Sequence, residues 1–199
     1  MTSKTKDEYI IEVSNLTKFY GKTKGIENVS FHIKEGEIFG LMGPNGAGKT
    51  TTLRSMLNLI QSSSGETRIF SKNLLNLSKI EMSNISYLPG EFEMYGNLTG
   101  KEYLKYLSNL RKAKTNNTDI LADRLDLDLS KKINTLSKGN KQKIGIVMAF
   151  MNKPSIAILD EPTSGLDPLK QQEFQNIVKE YNAEGCSVLL SSHILHEIE

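Results

Sequence analysis

The stretch 40-GLMGPNGAGKTT-51 decides how the rest of the chain is read. Gly43, four intervening residues and then Gly48-Lys49-Thr50 have the spacing of a phosphate-binding P-loop. Its glycines let successive backbone amides curl toward phosphate oxygens. A helix starting where the loop ends adds the partial positive charge of its N-terminus. Lys49 can bring a full charge to β- and γ-phosphates, and the Thr50 hydroxyl can ligate Mg²⁺. The setting agrees: GEIFGLMG before the loop has the texture of a strand, and a helix is predicted from Lys49 to about Ile60. The expected nucleotide contacts are Gly43, Pro44, Asn45, Gly46, Ala47, Gly48, Lys49, Thr50 and Thr51.

A triphosphate site needs a second pole for its metal and its water. 155-SIAILDEPTSGLD-167 supplies one, because an apolar strand there ends in Asp160-Glu161. Ligands of open α/β sheets bind at the C-terminal edge of the strands, which is where these carboxylates fall. Asp160 can hold Mg²⁺, and Glu161 can polarise an attacking water. His193 ends the next strand, in LLSSHIL, and would reach the same edge.

The remaining texture fits an α/β chain. YIIEVSNL, GIENVSFHI, TRIF, NISYLPG and CSVLLSS read as strands, SSSGE as a turn, and Pro168 to about Tyr181 as a helix. Apolar strands alternating with helices predict a mostly parallel sheet covered on both faces. From about Glu91 to Met151 the pattern turns helical, with Tyr103, Leu104, Leu107 and Leu110 on one face. Phe92, Met94 and Tyr95 look exposed, with core packing as the alternative.

Inside that helical stretch, 135-TLSKGNKQK-143 starts a helix awkwardly. Ser137 suits an N-cap, but Gly139 is a poor helix former, and Lys138, Lys141 and Lys143 crowd the end where the dipole disfavours cations. A helix N-terminus that receives an anion would account for both features.

Composition narrows the class. A length of 199 residues suits one domain, and a net charge of +2 gives no ground for nucleic acid or acidic lipid as a partner. The lysines of 101–114 are flanked by acids and read as a solvated face. Cys186 is the one cysteine, so no internal disulfide forms and a reducing compartment is expected. The longest apolar run, IGIVMAFMN, is far short of the roughly 20 residues that span a bilayer. The expectation is a cytoplasmic chain, with HEIE at its end reading as a truncated helix start.

Taken in order, the P-loop, LSKGN at 136–140, the acidic strand, SGLD at 164–167 and His193 resemble the ATP-binding cassette (ABC) family, over essentially the whole chain. In particular, the chain looks like the ATPase subunits of bacterial multidrug and antibiotic exporters. The resemblance implies one cassette domain over 1–199: a RecA-like core and an antiparallel β subdomain at about 8–90 and 153–199, with a helical subdomain at about 91–152. It implies ATP and Mg²⁺ as cofactors and hydrolysis coupled to transport. Tyr20, in KFYG, matches the aromatic that stacks on adenine. Lys49 and Thr50 match the phosphate and metal contacts, Asp160 the Mg²⁺-linked aspartate, Glu161 the general base and His193 the γ-phosphate sensor. Asp167 matches the aspartate that communicates between subunits. Two cassettes would pack head to tail, so that Ser137 and Gly139 meet the nucleotide of the opposite subunit. The partners implied are a second, identical cassette and a separate transmembrane permease. The location implied is peripheral, on the inner face of the cell membrane. A soluble family ATPase acting on ribosomes or DNA is the alternative, but those carry paired cassettes or long coiled-coil insertions. The chain departs from the family in two places. Lys138 and Asn140 replace the third and fifth residues of Leu-Ser-Gly-Gly-Gln. Gly90 stands where a metal-touching glutamine is usual, which leaves Glu91 as a substitute ligand or an added water on the metal.

Overall fold

Two long strands, β1 (Tyr9–Tyr20) and β2 (Thr23–Lys34), open the fold as a hairpin turning at Gly21, whose φ is +61°. The structure is a computed structural model and describes residues 9–111 and 117–192. After the hairpin come β3 (Ile38–Met42), α1 (Lys49–Met56), β4 (Ser64–Ile69), β5 (Lys72–Asn73), α2 (Lys79–Ser83) and β6 (Ile85–Leu88). The second half holds α3 (Gly100–Arg111), α4 (Thr118–Arg124), α5 (Lys138–Phe150), β7 (Ile156–Asp160), α6 (Pro168–Ala183) and β8 (Ser187–Ser192). An antiparallel sheet runs β2-β1-β4-β5, and a parallel sheet runs β3-β8-β7-β6. The expected α/β architecture is present, with its antiparallel β part and its helical part.

Strand alternation divides the core in two. Ile156, Ile158 and Leu189 face the layer holding Leu53 and Met56 of α1 and the apolar side of the antiparallel sheet. Ala157, Leu159, Val188 and Leu190 face Phe150 of α5 and Phe174 of α6. The parallel sheet is therefore apolar on both faces, and the register Asp160↔Ser191 and Met42↔Ser192 sets its polar residues at one edge. Burial pushes the Cys186 thiol up to about 11, so it remains a neutral core group.

Several expected boundaries shift for local reasons. α1 stops at Met56 because Asn58 adopts φ +52° and the amides of Leu59 and Ile60 both turn back to the Arg54 carbonyl. β4 starts inside the expected turn. Gly65, at φ +90°, lies against β1, where a Cβ would be 2.5 Å from the Asn15 carbonyl oxygen. α6 runs to Ala183, two residues past Tyr181. The helical stretch begins at Gly100, because Thr99 and Glu102 cap each other reciprocally. Residues 91–99 are irregular, and Phe92 and Met94 pack onto the helical core, which corrects their reading as exposed. Tyr95 remains 62% exposed, its ring edge-on to Tyr103 and Tyr106. Leu110 is 63% exposed and leaves the face shared by Tyr103, Leu104 and Leu107. Among the described residues, no helix is long and apolar enough to cross a membrane.

Candidate functional site

β3 delivers the chain into the P-loop, and α1 carries it away. Gly46 and Gly48 take φ +83° and +93°. At Gly48 a Cβ would also lie 2.5 Å from Ile26 Cγ2 and 3.0 Å from the Gly25 carbonyl oxygen. The loop is thus pressed against the hairpin. Gly25 is similarly confined, its missing Cβ falling 2.9 Å from Tyr20 Cε2 and 3.3 Å from Thr51 Cγ2. These contacts hold Tyr20 beside the first turn of α1. The Tyr20 ring is half exposed, with the Lys18 ammonium 5.1 Å from its centroid, and can offer a face to a flat, electron-poor ring. We expect Gly48→Ala to combine backbone strain with this clash. Strain of about 1–3 kcal/mol for the left-handed conformation alone should lower the melting temperature measurably and weaken binding of a fluorescent ATP analogue.

Lys49 is buried, and its ammonium donates to the carbonyls of Gly43 at 2.6 Å and Pro44 at 3.2 Å. The same nitrogen lies 3.1 Å from Glu161 Oε1. The ion pair joins the loop after β3 to the end of β7, so the two motifs meet at one edge of the parallel sheet. Phosphate oxygens can compete with the Glu161 carboxylate for this cation. Thr50 and Thr51 follow in the first turn of α1, and the Thr52 hydroxyl bonds back to the Gly48 carbonyl at 3.0 Å.

Asp160 is fully buried. Its Oδ1 accepts from the Ser191 hydroxyl at 2.6 Å, and its Oδ2 has no hydrogen-bond partner. A buried carboxylate oxygen without a donor suits a hard cation such as Mg²⁺. Glu161 adopts φ +48°, unusual for a residue with a Cβ, and its amide donates to Ser191 Oγ at 3.0 Å and to the Ser191 carbonyl at 3.2 Å. Tyr87 of β6 is half-buried nearby. Burial chiefly raises its pKa, the charge of Asp160 adds to that, and Arg54 opposes it.

Gly90, not Glu91, adjoins the metal-type aspartate. A Cβ on Gly90 would lie 3.4 Å from Asp160 Oδ2, whereas Glu91 is exposed. Among the described residues, Glu91, Asp160 and Glu161 form no metal-holding cluster of three. This geometry gives no support to Glu91 as the substitute ligand. His193 lies outside the described residues.

The awkward helix start also has reasons within this chain. Ser137 is exposed and caps α5, its hydroxyl accepting a stretched 3.3 Å bond from the Asn140 amide. Gly139 is a glycine for want of space, because a Cβ there would be 2.7 Å from the Gly165 carbonyl oxygen. One turn on, buried Gln142 donates through Nε2 to the carbonyls of Pro162 at 2.8 Å and Glu161 at 3.4 Å. The first turns of α5 are thereby fastened to residues 161–165 of the same chain. Asp167 caps α6, accepting from the Lys170 amide at 3.0 Å ahead of Pro168 at the first helical position. Motif reading passed over Gln142 and Ser191. For Ser191 the signal was a polar residue closing the apolar run of CSVLLSS, whereas Gln142 is hidden between Lys141 and Lys143.

Comparison with known proteins gives the family. Residues 26–164 match the family model described as ABC transporter. The chain is 39% identical to the uncharacterized ABC transporter ATP-binding protein YcbN of Bacillus subtilis, over 96% of its own length and 64% of that protein's. It is 37% identical to the bacitracin transport ATP-binding protein BcrA of Enterococcus faecalis, again over 96% of its own length and 64% of that protein's. The chain thus spans just under two thirds of these relatives. Among solved structures, it superposes with a TM-score of 0.80 on the ATP-binding cassette MJ0796, a dimer in a post-hydrolysis state bound to ADP and phosphate. The identity is 26%, over 94% of this chain and 90% of that one.

Proposed function

The chain belongs to the ABC transporter family, and from that premise we propose that it is the ATP-hydrolysing subunit of an exporter. Two copies would close head to tail on two ATP molecules and drive a separate membrane permease. The observation that carries this reading is the pairing of buried Lys49 with Glu161 at 3.1 Å, next to the buried, unpartnered Oδ2 of Asp160. It joins a phosphate-binding cation, a general base and a metal-type carboxylate at one sheet edge.

In the proposed reaction the amides of 43–48 and the Lys49 ammonium hold the β- and γ-phosphates. Thr50 and Asp160 would hold Mg²⁺, which would supply charge neutralisation on the phosphate oxygens. Glu161 orients a water toward the γ-phosphorus and accepts its proton. The water oxygen bonds to phosphorus as the bond to the ADP oxygen breaks, and ADP and phosphate result. Tyr20 stacks on adenine, and His193 is assigned to sensing the γ-phosphate. Ser137 and Gly139 of one copy meet the phosphate held by the other, an isologous arrangement. Likeness to the bacitracin transport protein supports an antibiotic or drug-like cargo, and attachment through the permease puts the chain on the inner membrane face.

The test is phosphate release by the purified chain with Mg-ATP at increasing protein concentration. The rate per molecule should rise with concentration and then level off as dimers fill. A constant rate per molecule from the lowest concentration would count against the paired site, and absence of turnover beside a permease-bound complex would count against the ATPase reading.

A further inference from the structure

The site contains one residue that addresses both acids. Ser191 lies on β8, the strand between β3 and β7, in register with Asp160 on one side and Leu41 on the other. It is fully buried. Its single hydroxyl proton goes to Asp160 Oδ1, 2.6 Å away. The same oxygen accepts from the Glu161 amide at 3.0 Å. We propose that Ser191 is the positioning residue of the hydrolytic site, fixing which oxygen Asp160 offers to the metal and how Glu161 is aimed.

With Oδ1 held by a short charge-assisted bond, the Asp160 carboxylate cannot rotate without losing a buried partner. Oδ2 is left as the oxygen on offer, and it is the one without a donor. The Gly90 side of that oxygen carries no side chain, so no residue there competes for it. At Glu161, the Ser191 hydroxyl and carbonyl both receive the amide of a residue at φ +48°, and so hold the turn that points its side chain toward Lys49. Partners behind a metal ligand orient it in this way, and losing one typically costs about 10–100-fold in metal affinity or activity.

The inference rests on the reading that Asp160 serves the Mg²⁺ of Mg-ATP, and the test separates the two. Ser191→Ala removes the donor to Asp160 and leaves the Ser191 carbonyl to the Glu161 amide. Binding of a fluorescent ATP analogue in EDTA should stay within about twofold, as only the metal side is disturbed. Mn²⁺ binding in the presence of a non-hydrolysable ATP analogue, followed by electron paramagnetic resonance, should weaken about tenfold or more, and the Mg²⁺ needed for half-maximal hydrolysis should rise in step. Ser191→Thr, which keeps the hydroxyl, should restore most of the loss. Ser191→Cys, of similar volume and a weak donor, serves if the alanine variant unfolds, and should fall between Ser and Ala. Unchanged metal affinity in a folded Ala or Cys variant would overturn the role of Ser191 alone, as would an equal loss of nucleotide binding with and without metal. Wild-type protein lacking metal-dependent nucleotide binding would overturn the ATPase reading and the Ser191 role with it.

Discussion

Glu161→Gln is expected to lower phosphate release by about 10²–10⁴-fold, the usual contribution of a positioned general base, while ATP binding persists. Glutamine matches the shape but cannot accept the water's proton. Lys49 exchanges an ion pair for a neutral amide acceptor and keeps the carbonyls of Gly43 and Pro44. Loss of the carboxylate also removes a charge that opposes the γ-phosphate, so the ATP-loaded state should gain. On a sizing column with Mg-ATP the variant should run as a dimer, and without nucleotide as a monomer. A variant that stays monomeric with Mg-ATP at micromolar concentration, or that turns over normally, would remove Glu161 from the role assigned to it.

The second large effect is expected at Ser137. Arginine at this exposed cap should leave ATP binding by the isolated chain nearly intact and abolish the concentration-dependent part of hydrolysis. The bulk faces outward from the N-terminus of α5, where the opposite nucleotide is proposed to dock. Ser137→Ala is the control, because it removes the 3.3 Å cap without adding bulk and should cost about 1 kcal/mol of stability at most. ATP binding lost in the monomeric arginine variant would show that the signature residues serve their own P-loop.

What was legible in the sequence was the part written in local chemistry. The P-loop spacing predicts the strand-loop-helix unit, and the acids at the end of SIAILDE predict a strand edge, as found for β7. Less legible was anything set by a distant contact. Gly139 reads as an open backbone awaiting an anion, yet the carbonyl of Gly165, far along the chain, dictates its lack of a side chain. Phe92 and Met94 look exposed because polar residues flank them, and only the assembled helices supply the surface that covers them. Gln142 and Ser191 carry no motif, since hydrogen bonds to distant residues define their work. One further local signal is plain: 78-SKIE-81 spells a capping box, and α2 begins there.

The Gln142 bonds and the close Gly139–Gly165 approach also have a mechanical meaning. α5 is clamped to the turn that bears Glu161 at two points one helical turn apart, and Gly139 leaves no slack at the first of them. A pull on the helical region would therefore reach residues 161–165 through these contacts. On the reading proposed above, α5 would then couple the helical region to the turn that bears Glu161.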